Sequence, residues 1–134
     1  MRVVLDTNVL VSALISRGKP RTLLRLIKAK DHSLIISNPI LEKLSRIASN
    51  DKIARHASTE DYTEFLKNLE KSSLVRAKSK VHVFNDADDR ILSTARDGKA
   101  DMIVTGDKHM LGLKTFKHIR IITVDQALLT LIIQ

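Results

Sequence analysis

Short apolar runs and polar breaks alternate along this chain, and their rhythm predicts its elements. Val3-Val4-Leu5 is a β-branched-rich run, the mark of a strand buried on both faces. It stops at Asp6-Thr7-Asn8, and a helix-compatible segment runs from Val9 to Ile15. Ser16-Arg17-Gly18-Lys19-Pro20-Arg21 reads as a loop by its Gly and Pro. Pro20 opens a helix to about Lys30, with Leu23, Leu24 and Ile27 on its buried side. Ser33 to Ser37 is a second buried strand, and Ser37-Asn38-Pro39 is a polar helix start. Ile40, Leu41, Leu44, Ile47 and Ala48 then recur at helical spacing.

Ser49 to Ser58 is irregular. Thr59-Glu60-Asp61 caps a helix to about Lys71, with Tyr62, Phe65, Leu66 and Leu69 facing inward, and Leu74 to Val83 has room for a short strand. In Phe84 to Ala95, Asp86 is the N-cap candidate. Asp88, Ile91, Leu92 and Ala95 lie at i, i+3, i+4 and i+7, which puts Asp88 on the buried face and turns Asp89 and Arg90 further around. Gly98 closes that helix. Ala100 to Asp107 repeats the opening grammar, a buried strand ending in Thr and Asp. A last strand, Arg120 to Val124, leads into a helix capped by Asp125, with Ala127, Leu128, Leu131 and Ile132 packing back. No repeat or linker interrupts the pattern, so residues 1–134 read as a single domain.

Alternating strands and helices predict an α/β fold, a parallel sheet covered on both faces. Asp6, Glu42, Asp88 and Asp107 then fall at strand ends or in the first turn of the following helix, the edge where open α/β sheets hold ligands. Singly, each has a plain explanation: Asp6 as a helix cap, Glu42 as a favourable charge at a helix start. Together they would repel unless they share protons or a hard divalent cation. Oxygen ligands without His or Cys select Mg²⁺ or Mn²⁺. Thr7, Asn8, Ser37 and Thr105 are short polar groups placed to hold the carboxylates or a water. An acid on an apolar stripe needs a partner or a cation, which favours Asp88 over Asp89 as the third ligand.

Composition narrows the chemistry. The chain has no cysteine, so disulfides and thiolate metal sites are excluded. Aromatics are 3%, too few for a base-stacking platform. A formal charge of +8 points to a polyanionic partner. Arg17, Lys19 and Arg21 are candidate phosphate contacts, or else an ordinary solvated loop. No signal-like or membrane-length apolar run is seen, so the expected location is cytoplasmic, without a membrane partner. An acidic metal pocket on a cationic protein suggests phosphodiester hydrolysis.

Val4-Leu-Asp-Thr-Asn-Val-Leu10, Ser37-Asn-Pro-Ile-Leu-Glu42, Asp86-Ala-Asp-Asp-Arg-Ile-Leu92 and Val104-Thr-Gly-Asp-Lys-His-Met-Leu111 resemble the successive motifs of a PIN domain. The likeness is to prokaryotic PIN proteins that act as toxin components of toxin–antitoxin systems, relatives of the VapC ribonucleases. It implies a three-layer α/β/α fold and Mg²⁺- or Mn²⁺-dependent RNA cleavage, with an antitoxin partner and pairing as a homodimer. Carried across, the family's metal-binding and catalytic acids fall on Asp6, Glu42, Asp88 and Asp107, with the doubled Asp88-Asp89 leaving the third ambiguous. His109 stands where many relatives carry another acid. The rival expectation is a non-catalytic RNA- or protein-binding module that keeps the fold. A phosphatase or nucleotide-binding domain is weaker, since no Gly-rich phosphate loop is present.

Overall fold

Apolar runs too short for a helix and bounded by polar residues become strands here, and the longer periodic stretches become helices. In the computed structural model, which describes residues 1–69 and 72–133, the chain runs β1 (Arg2–Leu5), α1 (Thr7–Ile15), α2 (Lys19–Ala29), β2 (Ser33–Ser37), α3 (Asn38–Ala48), α4 (Asp51–Ala54) and α5 (Thr59–Leu69). It continues through β3 (Ser73–Val75), α6 (Asp86–Asp97), β4 (Met102–Val104), α7 (Lys108–Leu113), β5 (Thr115–Phe116), β6 (Ile119–Ile122) and α8 (Val124–Ile133). The strands form one sheet in the order β3-β2-β1-β4-β6-β5, parallel except for the β5–β6 pair at one edge.

The opening run is central because both its edges are paired. Val3 sits opposite Leu34 of β2 and Met102 of β4, and Leu5 opposite Val104. Val3, Val4 and the whole of β4 are completely buried, as a strand covered on both faces must be. Helices α1, α2, α5 and α8 pack on one another, and α6 lies against β1 and β2, giving the three-layer α/β/α arrangement. Gly98 ends α6 where a Cβ would come within 2.5 Å of Ile35 Cγ2, so only glycine lets the helix end lie so close to β2. Chain order turns at β1: β2 and β3 lie to one side, β4 and β6 to the other. The crevice between the carboxyl ends of β1 and β4 is therefore the sheet's topological switch point.

Several boundaries differ from the sequence expectation. Lys19 is already helical, because Pro20 in the first turn brings the φ a helix needs. Ser49 to Ser58 contains the single turn α4. Asn85, not Asp86, caps α6, its side chain accepting from the Asp88 N–H at 3.0 Å. Thr123 and Gln126 form a reciprocal capping box at α8, so Asp125 is not the cap. Leu66 and Ile132 are exposed, on helix sides that no other element covers among the described residues. The expected end of the α5 helix at Lys71 lies outside the described residues.

Candidate functional site

Asp6 follows β1 directly and occupies the N-cap position of α1, yet its side chain does not cap that helix. Its backbone N–H donates to Val104 O at 2.9 Å, which locks it across the switch point, and its Oδ2 accepts from the buried Thr105 hydroxyl at 2.8 Å. The same Thr105 oxygen accepts from the Asp107 N–H at 3.0 Å. One hydroxyl thus ties the first acid to the loop that carries the last. Asp107 caps α7, with Oδ1 accepting from the His109 N–H at 2.8 Å, and His109 itself is exposed.

The third acid arrives on α6. Partial desolvation pushes the Asp88 carboxyl above the usual carboxylate range, and the negative charges of Asp107 and Asp6 push it further. The Asn85 hydrogen bond and the Lys43 charge pull the other way. Asp6, Asp88 and Asp107, from three separate segments, therefore share one electrostatic field. Asp89 has a different task. It is buried, and one of its oxygens accepts from the backbone N–H groups of Val83 and Phe84 at 3.1 and 2.8 Å. The helical-face expectation is thus reversed: Asp89 is the inward acid and Asp88 the half-exposed one.

Glu42 stands apart. Since α3 begins at Asn38, Glu42 lies past the first turn, exposed and lining a groove with Asn38, Arg46 and Arg90. Among the supporting groups, Ser37 is buried and bonds the Thr94 hydroxyl at 2.8 Å. Thr94 in turn donates to Arg90 O, so Ser37 anchors α6 to β2, and among the described residues it hydrogen-bonds no carboxylate. Thr7 is buried beside Asp86 and Arg90, and Asn8 lines a groove with Thr105 and Gly106.

The three loop cations part company. Arg21 is buried, its guanidinium donating to Ala13 O, Leu14 O and Asp61, so it has no surface to offer a phosphate. Lys19 is exposed and pairs with Asp125 at 2.8 Å. Arg17 is exposed. Asn85, Lys43, Arg46 and Arg90 join the candidate residues only in the folded structure. Asn85 was findable, since an Asn three residues before an acid at a helix start is a capping pattern.

Among the described residues, no three His, Asp or Glu side chains are grouped so that they could hold a metal ion as they stand. The donor chemistry nonetheless fits a hard cation: carboxylates only, with one raised by desolvation and by its like-charged neighbours. Mg²⁺ keeps most of its waters and uses one or two carboxylates, so an open site of this kind suits it.

A family model described as "PIN domain" matches residues 2–109. An uncharacterized protein of Methanocaldococcus jannaschii, MJ1680, is 31% identical over 120 residues, covering 85% of this chain and 76% of that one. The crystal structure of VapBC2 from Rickettsia felis, bound to a DNA fragment from its promoter, superposes with a TM-score of 0.64 at 18% identity. That match covers 92% of this chain and 98% of the other. No helix among the described residues is long and apolar enough to cross a membrane.

Proposed function

The chain belongs to the PIN domain family, and from that premise we propose that it is a divalent-metal-dependent endoribonuclease. The observation that carries this reading is the shared field of Asp6, Asp88 and Asp107 at the switch point. Three converging acids oppose folding unless they share protons or a divalent cation offsets them. Asp6, Asp88 and Asp107 would hold Mg²⁺ or Mn²⁺, and the bound ion would supply an activated water and neutralise charge on the scissile phosphate. Thr105 holds the Asp6 carboxylate in one orientation through its hydroxyl. Asn85 does the same for Asp88, its Nδ2 donating to Asp88 Oδ2 at 3.2 Å. Glu42 serves at the rim, facing the incoming strand. The likeness to a VapBC2 assembly supports an antitoxin as protein partner.

The test is cleavage of single-stranded RNA with Mg²⁺ or Mn²⁺, compared between the wild type and Asp6→Asn. Asn keeps the shape and can still accept from Thr105, so the fold survives. We expect cleavage to fall by about 10³-fold or more, the scale on which loss of a charged group in an electrostatic site acts, with thermal stability kept. RNA binding without divalent-dependent cleavage would instead favour the non-catalytic module. The absence of a ready-made three-ligand cage is what keeps that second reading in play.

A further inference from the structure

The groove between α3 and α6 carries cations that no ion pair among the described residues engages. Arg46 on α3 and Arg90 on α6 line it from opposite walls, and Lys43 lines its inner part beside Thr7 and Asp86. Among the described residues none of the three is in an ion pair, whereas Lys19, Arg21 and Arg25 each hold a carboxylate. The inner part of the groove borders the acid site: Thr7, next to Asp6, and Asp86 and Ala87, just before Asp88, line it, and the Lys43 charge is felt at Asp88.

We propose that this groove is the track for a single-stranded RNA backbone, with Lys43, Arg46 and Arg90 contacting phosphates on the approach to Asp88. The proposal rests on the nuclease reading for its choice of RNA. Two guanidinium groups across one groove suit phosphate oxygens, which they engage in a planar fork. With aromatics at 3% of the chain, stacking cannot supply the affinity. Backbone charge must supply it, and such binding is steeply salt-dependent. An acidic protein segment is the competing occupant. RNA is favoured because the inner part of the groove is walled by Thr7 and by Asp86 and Ala87, the chain neighbours of Asp6 and Asp88. A bound backbone would pass beside the acids, where an acidic peptide would meet repulsion and a scissile phosphate would meet a metal.

The test uses the full chain carrying Asp6→Asn, in EDTA, titrated with a fluorescein-labelled single-stranded RNA at several salt concentrations. Lys43→Ala/Arg46→Ala/Arg90→Ala is compared with Lys67→Ala/Arg76→Ala/Lys80→Ala, a triple of equal charge whose residues line neither part of the groove. The groove triple should lower the log K against log salt slope by about 2 and weaken low-salt binding about tenfold or more. The control triple should move the slope by less than half as much. Equal losses in both triples, or none in either, overturn the track. So does an acidic peptide that binds the groove while RNA binding survives in the groove triple. A separate cleavage assay in the Asp6 background distinguishes the two readings. Wild-type cleavage with KM unchanged in the groove triple removes the track and leaves the nuclease. Groove-dependent binding without any cleavage removes the nuclease and leaves the track.

Discussion

Charge is handled in opposite ways on two sides of the switch point. Where α2 meets α5 and α8 it is balanced: Arg21 on Asp61 at 2.9 Å, Lys19 on Asp125, and Arg25 on Glu64. Where α3 faces α6 it is left open. Asp88 stands in the field of Asp107 and Asp6, and Lys43, Arg46 and Arg90 have no carboxylate partner among the described residues. A sequence selected for stability alone would close such gaps, and local departures from that rule mark where a ligand supplies what the fold omits. The teaching is that proximity along the chain misleads. Arg21 belongs to the cationic segment that follows the first motif and is structural, while Lys43, Arg46 and Arg90 are gathered into one groove by the packing of α3 on α6.

Arg21→Ala attacks the balanced side and should have the largest effect on stability. It removes a buried guanidinium that satisfies the carbonyls of Ala13 and Leu14 as well as Asp61. Breaking a buried, hydrogen-bonded charge costs about 3–5 kcal/mol, a fall in Tm of about 10 °C or more. RNA affinity of the still-folded protein at low temperature should hardly change. A weakened RNA complex at unchanged Tm would place Arg21 on the substrate and erase the contrast. Asp89→Ala should come next. Two backbone N–H groups, of Val83 and Phe84, lose their acceptor. The expected loss is about 2 kcal/mol, or about 5 °C in thermal denaturation.

The legible part of this protein is what the chain places by direct succession. Asp6 follows β1 and Asp107 closely follows β4, so finding those strands was enough to put both acids at the sheet edge. Asp88 and Asp89 were harder because α6 is buried nearly all round. Ile91, Leu92, Ser93, Thr94 and Ala95 are all inside, with the Ser93 and Thr94 hydroxyls turned back onto Arg90 O. An apolar stripe cannot rank faces when polar residues share the interior, and the backbone that Asp89 binds belongs to a loop with no periodicity. Glu42 lies just past the first turn of α3 rather than within it, because the helix already begins at Asn38. Helix α7 and strand β5 escaped notice, since two strand residues are too few for a period. Lys43, Arg46 and Arg90 become a group only once α3 and α6 are packed.

Asp88→Asn is the smallest effect and the sharpest contrast with Asp89. Folded Asp88 holds its proton more tightly than the unfolded chain does, because burial and the charges of Asp107 and Asp6 disfavour its ionised form. Between the ordinary carboxylate pKa and the raised one, the folded state binds the extra proton, so stability falls as pH rises through that window. Above the window the penalty is complete; below it both states are protonated and it vanishes. Replacing Asp88 with Asn should therefore raise Tm at neutral pH, by only about 1–2 °C because solvent screens a half-exposed group. The gain should shrink to nothing near about pH 3. Mg²⁺ should stabilise the wild type at neutral pH and leave the variant unmoved. A loss of Tm at every pH, like that expected of Asp89→Ala, would make Asp88 a structural acid and dissolve the difference between the two sides.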